Sequence, residues 1–529
     1  MRQSHLILSN ALIIWASRVL LLVPQLILVP YLISTIGESG YGVYALIWSL
    51  LMSIGQLEQS LQLGVVKYSA AFLAEDRVDK VNRVVSSSFV YSMLLAVVAC
   101  VCIFIAAAFA GDPTGDLGFS LFVVGVLVLL MIPLTPYVAV IQSRQRYYVT
   151  VVAETLSKYI ALGAVVTWFS LMTPTVGALM VITAGMLLLS RLAQVPVAYR
   201  MVPGLRNRVS LFDRQAFRLI VAFGGVIVLV ALCGIANSTG VRWLMASLVS
   251  TGFVAHLAII LMPGLFLIQI IQAMTITIMP ATSAYEATGN TRMLKELLIR
   301  SMRYACILVL AGSLVAALLI KDVLTLWVGP GYAFLAPYSL AFFLSAAFLM
   351  TTSSAHHMLN GLGRLRITFF NALVGLVLVP FVLILVLFFV WRNPYIAVTV
   401  GLAAGNIVPG LLQIGFAANA VHADLRDVFT RVYARSCMVA APVIVLALAL
   451  VRLGRLDGLL EMGCVSVLAV LLFLGGCYVF VATPAERQQA KALLHAILIR
   501  TAAVRWARSR SKRSPQGSAI RRTLQREVG

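Results

Sequence analysis

Charge is scarce in this sequence, and acid scarcer than base: 11% of the 529 residues are charged, with 18 Asp and Glu against 40 Lys and Arg, and six His. A soluble domain cannot keep its surface wet on so little charge, and 61% hydrophobic residues with a mean hydropathy of +1.00 point to lipid as the main solvent. No Gly-Lys dipeptide occurs, which excludes a P-loop and ATP hydrolysis by that route. The seven cysteines, Cys100, Cys102, Cys233, Cys306, Cys437, Cys464 and Cys477, form no CxxC and fall in apolar runs, so they read as small hydrophobes rather than metal or redox groups. His356 and His357 are adjacent and cannot share a helix face, which argues against a metal pair. No nucleophile motif stands out, so neither enzyme chemistry nor a resident cofactor is expected.

What is present is a series of long, continuous apolar runs. A helix satisfies its own backbone in lipid, whereas a barrel strand alternates polar and apolar residues, so these runs predict an all-α polytopic protein. About fourteen spans are expected, over 8–35, 41–66, 86–110, 119–141, 149–171, 176–199, 219–240, 253–278, 303–320, 337–358, 367–390, 395–418, 436–451 and 458–482. With the N-terminus inside, 32 of the 40 basic residues fall in inner segments, 5 in outer segments and 3 within spans. This is the positive-inside pattern, and it makes the net charge of +22 a topology signal instead of a nucleic-acid footprint. It places both termini in the cytoplasm of a multi-pass protein, expected in a bacterial inner membrane. The first apolar run has no cleavage site and is too long for a signal peptide.

A weak internal repeat organises the spans. The stretch from Tyr41-Gly42-Val43-Tyr44 to Phe72-Leu73-Ala74 aligns with Val254-Ala255-His256-Leu257 to Tyr285-Glu286-Ala287 at an offset of 213, and Gln142-Ser143-Arg144-Gln145-Arg146 aligns with Asn360-Gly361-Leu362-Gly363-Arg364 at 218. Six spans per copy is an even number, so the copies are parallel, related about an axis along the membrane normal. The expected organisation is an N-lobe (1–200), an inner linker (201–218), a C-lobe (219–420), two extra spans (421–483) and a basic cytoplasmic tail (484–529). The tail alternates Arg487, Lys491, Arg500, Arg505 and Arg508 with Leu493, Leu494, Ile497, Leu498 and Val504. Such a pattern suits either a helix on anionic inner-leaflet lipid or a solvated segment that enforces orientation.

Several motifs resemble those of the Wzx-type polysaccharide and O-antigen flippases of the MOP (MATE/MVF-like) exporter superfamily. They are Pro30-Tyr31-Leu32, Gly40-Tyr41-Gly42-Val43-Tyr44-Ala45-Leu46 and Leu63-Gly64 in the first lobe. The second lobe carries Ile278-Met279-Pro280-Ala281, Leu326-Trp327-Val328-Gly329-Pro330-Gly331-Tyr332 and Leu359-Asn360-Gly361-Leu362-Gly363-Arg364. The resemblance spans about residues 8 to 420. It implies two six-helix lobes in a V, with alternating access carrying an undecaprenyl-diphosphate-linked oligosaccharide from inner to outer leaflet, alongside other polysaccharide-assembly membrane proteins. Where that family often carries an acid before a base at the end of span 7, this chain has Ser238-Thr239-Gly240-Val241-Arg242, so an ion-coupling role (H+ or Na+) loses its usual acid.

Charges deep in the membrane cost about 2.5–3.5 kcal/mol each on insertion scales, so each needs a partner or a task. Arg18 lies near the midplane of span 1, on a polar stripe with Asn10, Ser17 and Gln25. It either holds a substrate diphosphate, to which a guanidinium donates in pairs, or pairs with an acid such as Glu58. Glu154 and Lys158, four apart on span 5, either neutralise each other or line the cavity. Glu58, with Gln59 and Gln62, either packs a lobe interface or exchanges a proton. Arg242 is an interfacial cation or meets the diphosphate on the release side; Arg191 is expected to snorkel, and His256 to be an interface or cavity group. Pro24, Pro30 and the Pro263-Gly264 pair are candidate hinges or static kinks. Cavity bases favour an anionic cargo over a cation-coupled multidrug efflux pump, the first alternative. A membrane glycosyltransferase or polysaccharide polymerase, the second, needs a larger outer loop than Lys321 to Ala336.

Overall fold

A computed structural model describes residues 2–109, 116–275, 278–454, 458–484 and 486–488, with side chains from residue 20 onward apart from a few positions inside helices. It is helical throughout, with no strand among the described residues. Thirteen helices are long and apolar enough to cross a membrane. The first, Leu20–Ala74, contains two of the expected spans: its helix breaks at Gly37, which adopts φ 73° and ψ 174°. That left-handed φ is open to glycine at little cost, and it turns span 1 into span 2 almost without a loop. Counted this way, the fourteen expected spans are all present, from Val78–Ala108 (span 3) to Leu425–Val451 and Leu460–Val481 (spans 13 and 14).

The internal repeat has a backbone signature. Asp76 and Gly289, 213 residues apart, both have positive φ (56° and 64°), and so do two pairs 218 apart, Gln145 with Gly363 (57°, 66°) and Gly204 with His422 (85°, 52°). The left-handed turns that end corresponding inner connections therefore recur at the two offsets of the sequence repeat. The equivalent positions 42 and 255 also lie against each other, as a pseudo-two-fold between spans 2 and 8 requires. A Cβ on Gly42 would overlap the Thr251 carbonyl oxygen and sit 3.5 Å from the Ala255 nitrogen.

The inter-lobe linker is strapped to the N-lobe. At the start of span 3, Asn82 donates to the Gly204 carbonyl (3.1 Å) and accepts from the Arg206 N–H (2.8 Å). Ser86 accepts from the Arg208 N–H, Ser87 from the Asp213 N–H (2.9 Å), and Arg83 reaches the Asp213 carboxylate at 3.5 Å. Asp213 also caps the next helix, accepting from the Gln215 and Ala216 N–H groups. Those backbone donors, with Arg83, hold its carboxyl below the usual range. A depressed carboxyl adds stability above its unfolded pKa, so the strap is complete at neutral pH and weakens only in acid.

Spans 13 and 14 pack on span 9 through Ala311, Leu314 and Leu318 against Ala440, Val443, Ala447, Ala469 and Phe473. A buried ion pair pins their inner end: Arg303 donates to Glu486, which also accepts from the Tyr304 hydroxyl at 2.7 Å. Burial pushes the Glu486 carboxyl up, but Tyr304, the Thr483 N–H and Arg303 bring it below the ordinary value. Thr483 and Glu486 cap each other's N–H groups, so a capping box opens the segment that leads into the basic tail. The tail itself, from 489 on, lies outside the described residues.

Candidate functional site

The lobes meet at the end that the charge pattern assigns to the outside. Ser39 Oγ lies 3.1 Å from Thr251 Oγ1, Ser53 Oγ 2.5 Å from Thr239 Oγ1, and Thr239 donates to the Ser49 carbonyl at 2.9 Å. The Trp327 indole N–H donates to the Leu26 carbonyl (2.7 Å), and the Tyr332 hydroxyl to Glu38 (2.7 Å). His256 Nε2 is 3.2 Å from Glu38 Oε2, and its Nδ1 is 2.7 Å from the Tyr395 hydroxyl. Toward the other end, helix Ile278–Ala287, which continues span 8, packs chiefly on spans 9 and 10 of its own lobe. The lobes are thus closed at the outer end, and at the inner end the start of span 7 stays packed on the N-lobe, Ala216 and Ile220 against Val65, Val84 and Ala139. Gly42 lies directly against the Thr251 carbonyl in this seam, and overpacking such a contact costs about 1–3 kcal/mol. Gly42→Leu is expected to part the outer ends, read as increased labelling of a Ser53→Cys reporter by an impermeant maleimide added outside. Unchanged labelling of normally inserted protein would show that the seam does not set access.

Arg242 lies along this divide. Span 7 loosens into one π-helical turn, Ala236–Gly240, and Arg242 follows it, donating one guanidinium nitrogen to the Ser238 carbonyl within that turn. The side chain is half-buried, close enough to Tyr41 of span 2 for electrostatic interaction, and among the described residues no carboxylate lies at ion-pair distance. A guanidinium with unused donors at a lobe interface can accept an anion.

The acids are differently placed. Glu58 is 2% exposed and pairs through Oε1 with Arg191 at 3.1 Å, and Thr135 donates to the same oxygen. This corrects the expectation that Arg191 snorkels. Its cation is retained at depth because spans 2, 4 and 6 of one lobe bring a carboxylate to it, and Glu58 is thereby an internal N-lobe group rather than part of a lobe interface. Glu58 Oε2, Arg191 Nε and Gln194 Oε1 have no hydrogen-bond partner among the described residues.

Glu154 and Lys158 are both half-buried on span 5, and Lys158 is engaged in an interaction. Next to it, the Tyr159 hydroxyl donates to the Leu20 carbonyl (3.0 Å), so this stretch of span 5 adjoins span 1. Gln25 on span 1 is half-buried, and the Arg18 side chain lies outside the described residues. The helices run through Pro24, Pro30 and Pro263 without a break. Gly264 has a packing reason, since a Cβ there would come 2.7 Å from the Phe342 ring. The seam residues Glu38, Tyr332 and Tyr395 were not singled out as site residues in the sequence; equal depth of Glu38 and His256 at the outer ends of their spans was the available signal.

No family model matches the sequence, and no curated protein does. Solved structures do match in fold. A multidrug-resistance MATE transporter of the MOP superfamily, in its inward-facing conformation, superposes with a TM-score of 0.62 at 15% identity, over 78% of this chain and 98% of that one. A MATE transporter of Vibrio cholerae gives 0.58 at 12% identity, over 79% and 97%. The lipid II flippase MurJ, in an inward closed conformation, gives 0.64 at 10% identity, over 89% and 99%. The chain therefore has the fold that MATE transporters of the MOP superfamily share with a lipid II flippase.

Proposed function

We propose that the chain is a flippase that moves an undecaprenyl-diphosphate-linked oligosaccharide from the inner to the outer leaflet of the bacterial inner membrane by alternating access. The observation that carries this reading is the charge of the inter-lobe region: Arg242 has no carboxylate partner among the described residues, while Glu58 is held inside the N-lobe by Arg191 and Glu38 is held in the outer seam. A hydrated, cationic cavity suits a diphosphate head group, and the isoprenoid tail stays in lipid. Arg18, Lys158 and Arg242 would hold the diphosphate, with Gln25, Glu154 and His256 toward the sugar. Glu58 supports the lobe that carries them.

Length also favours this reading over multidrug efflux. The lipid II flippase matches 89% of the chain against 78–79% for the two MATE transporters, a difference of about the length of spans 13 and 14. Deleting the gene tests the proposal: lipid-linked oligosaccharide is expected to accumulate in the cytoplasmic leaflet. Outward-facing, unpolymerised units would instead assign the chain to polymerisation.

A further inference from the structure

We propose that Glu38, His256 and Tyr332 form an outer latch that holds the lobes together in this outward-closed state and tightens when the outer compartment is acidified. The inference takes its inside and outside from the charge-based topology and does not depend on the cargo.

The groups around His256 come from each element packed on it. Glu38 arrives from the break between spans 1 and 2, and it is the only carboxylate at ion-pair distance among the described residues. Tyr332 comes from the turn between spans 9 and 10, where its ring meets the imidazole edge-on at 5.8 Å and its hydroxyl donates to the same carboxylate. Tyr395, at the start of span 12, stacks on the imidazole at 5.9 Å and is itself stacked on Tyr338 of span 10 at 5.4 Å. Phe334 closes the remaining edge at 5.7 Å. The span-7 cation Arg242 is directed to Ser238 and Tyr41.

Glu38 belongs to the N-lobe, and all the other groups to the C-lobe. Opening the outer end must therefore pull one carboxylate away from an imidazole and a phenol that the aromatic cluster holds in place. In a neutral imidazole with its proton on Nε2, Nδ1 accepts from the Tyr395 hydroxyl, and Nε2 lies 3.2 Å from Glu38 Oε2 without an aligned hydrogen bond. A second proton, on Nδ1, turns that ion–dipole contact into an ion pair, with the Tyr395 oxygen now accepting. Histidine changes charge between about pH 5 and 8, so the latch strengthens as the outside becomes acidic. Glu38 is 47% exposed on its side chain, which places the pair among the weakly coupled ones: the open-to-closed ratio is expected to change by about two- to fivefold.

The experiment uses the full chain in nanodiscs, with exposed Cys102, Cys437 and Cys464 replaced by Ala and spin labels at Met172→Cys and Trp391→Cys, exposed positions at the outer ends of spans 5 and 11. Distance distributions are recorded at pH 5.5 and 8.0. The longer, outer-open population is expected to grow about two- to fivefold at pH 8.0. His256→Gln and Glu38→Gln should each abolish the difference between the two pH values. Tyr332→Phe, which removes a link that does not titrate, should raise the open population at both and preserve the difference. A wild-type distribution indifferent to pH, or a pH effect that survives in His256→Gln, overturns the proposal.

Discussion

Replacing Arg191 by Leu is expected to remove most of the folded protein from the membrane. The substitution leaves Glu58, 2% exposed, as an uncompensated carboxylate in the middle of the N-lobe, and breaking a buried pair by deleting one partner costs about 3–5 kcal/mol. The loss should show as lower abundance and a lower midpoint of thermal aggregation in detergent. Removing the other charge as well is the informative control. Glu58→Gln with Arg191→Leu keeps a group that can still accept from the Thr135 hydroxyl and has no charge to bury, so it should restore most of the protein. If the double variant is as depleted as Arg191→Leu alone, the pair is not what the single substitution breaks. If transport is lost in the restored double variant, Glu58 has a functional role beyond holding spans 2, 4 and 6 together.

Arg242→Ala is expected to give the opposite phenotype: normal abundance with transport reduced about tenfold to a hundredfold, the range for losing hydrogen bonds to a charged group. Arg242 rests on the Ser238 carbonyl and shows no acid partner among the described residues, so its removal strands no buried charge. Arg242→Lys should recover part of the activity, since the charge stays while the paired donor geometry is lost. Full activity in Arg242→Ala would take this residue out of the cargo path. Arg18→Ala and Lys158→Ala address the same site from the N-lobe, and equal losses in all three would place one anion between the lobes.

The spans were legible because hydropathy is a local property: about twenty apolar residues declare a span wherever they later pack, and the basic residues declare its ends. The break at Gly37 was less so, since helix continues through a junction that reads as a loop between 35 and 41. The repeat was visible only as fragments, and the positive φ values at Gln145 and Gly363 show what those fragments share: each closes the same left-handed turn, one with a glutamine at φ 57° and one with glycine.

Pairings were the hidden part. Glu58 and Arg191 sit on spans that run through the same lobe, each about eight residues from the inner end by the expected boundaries, so matching depth and opposite charge were the readable clue. Nothing local says that their helices face each other. The same holds for Glu38 with His256, separated by a whole repeat. Arg242 was legible as a cation near a span end, but its orientation depends on the π-helical turn before it, which the run Ala236-Asn237-Ser238-Thr239-Gly240 does not announce by composition.

Reconstitution tests the central claim most directly. Purified protein in liposomes containing an undecaprenyl-diphosphate-linked oligosaccharide, placed initially in one leaflet, is assayed by capture of the sugar with a lectin confined to the other side. Lectin-accessible sugar is expected to appear at a protein-dependent rate that falls about tenfold or more in Arg242→Ala liposomes carrying the same amount of protein. A rate equal to that of protein-free liposomes, from protein shown to be folded and inserted, would contradict it.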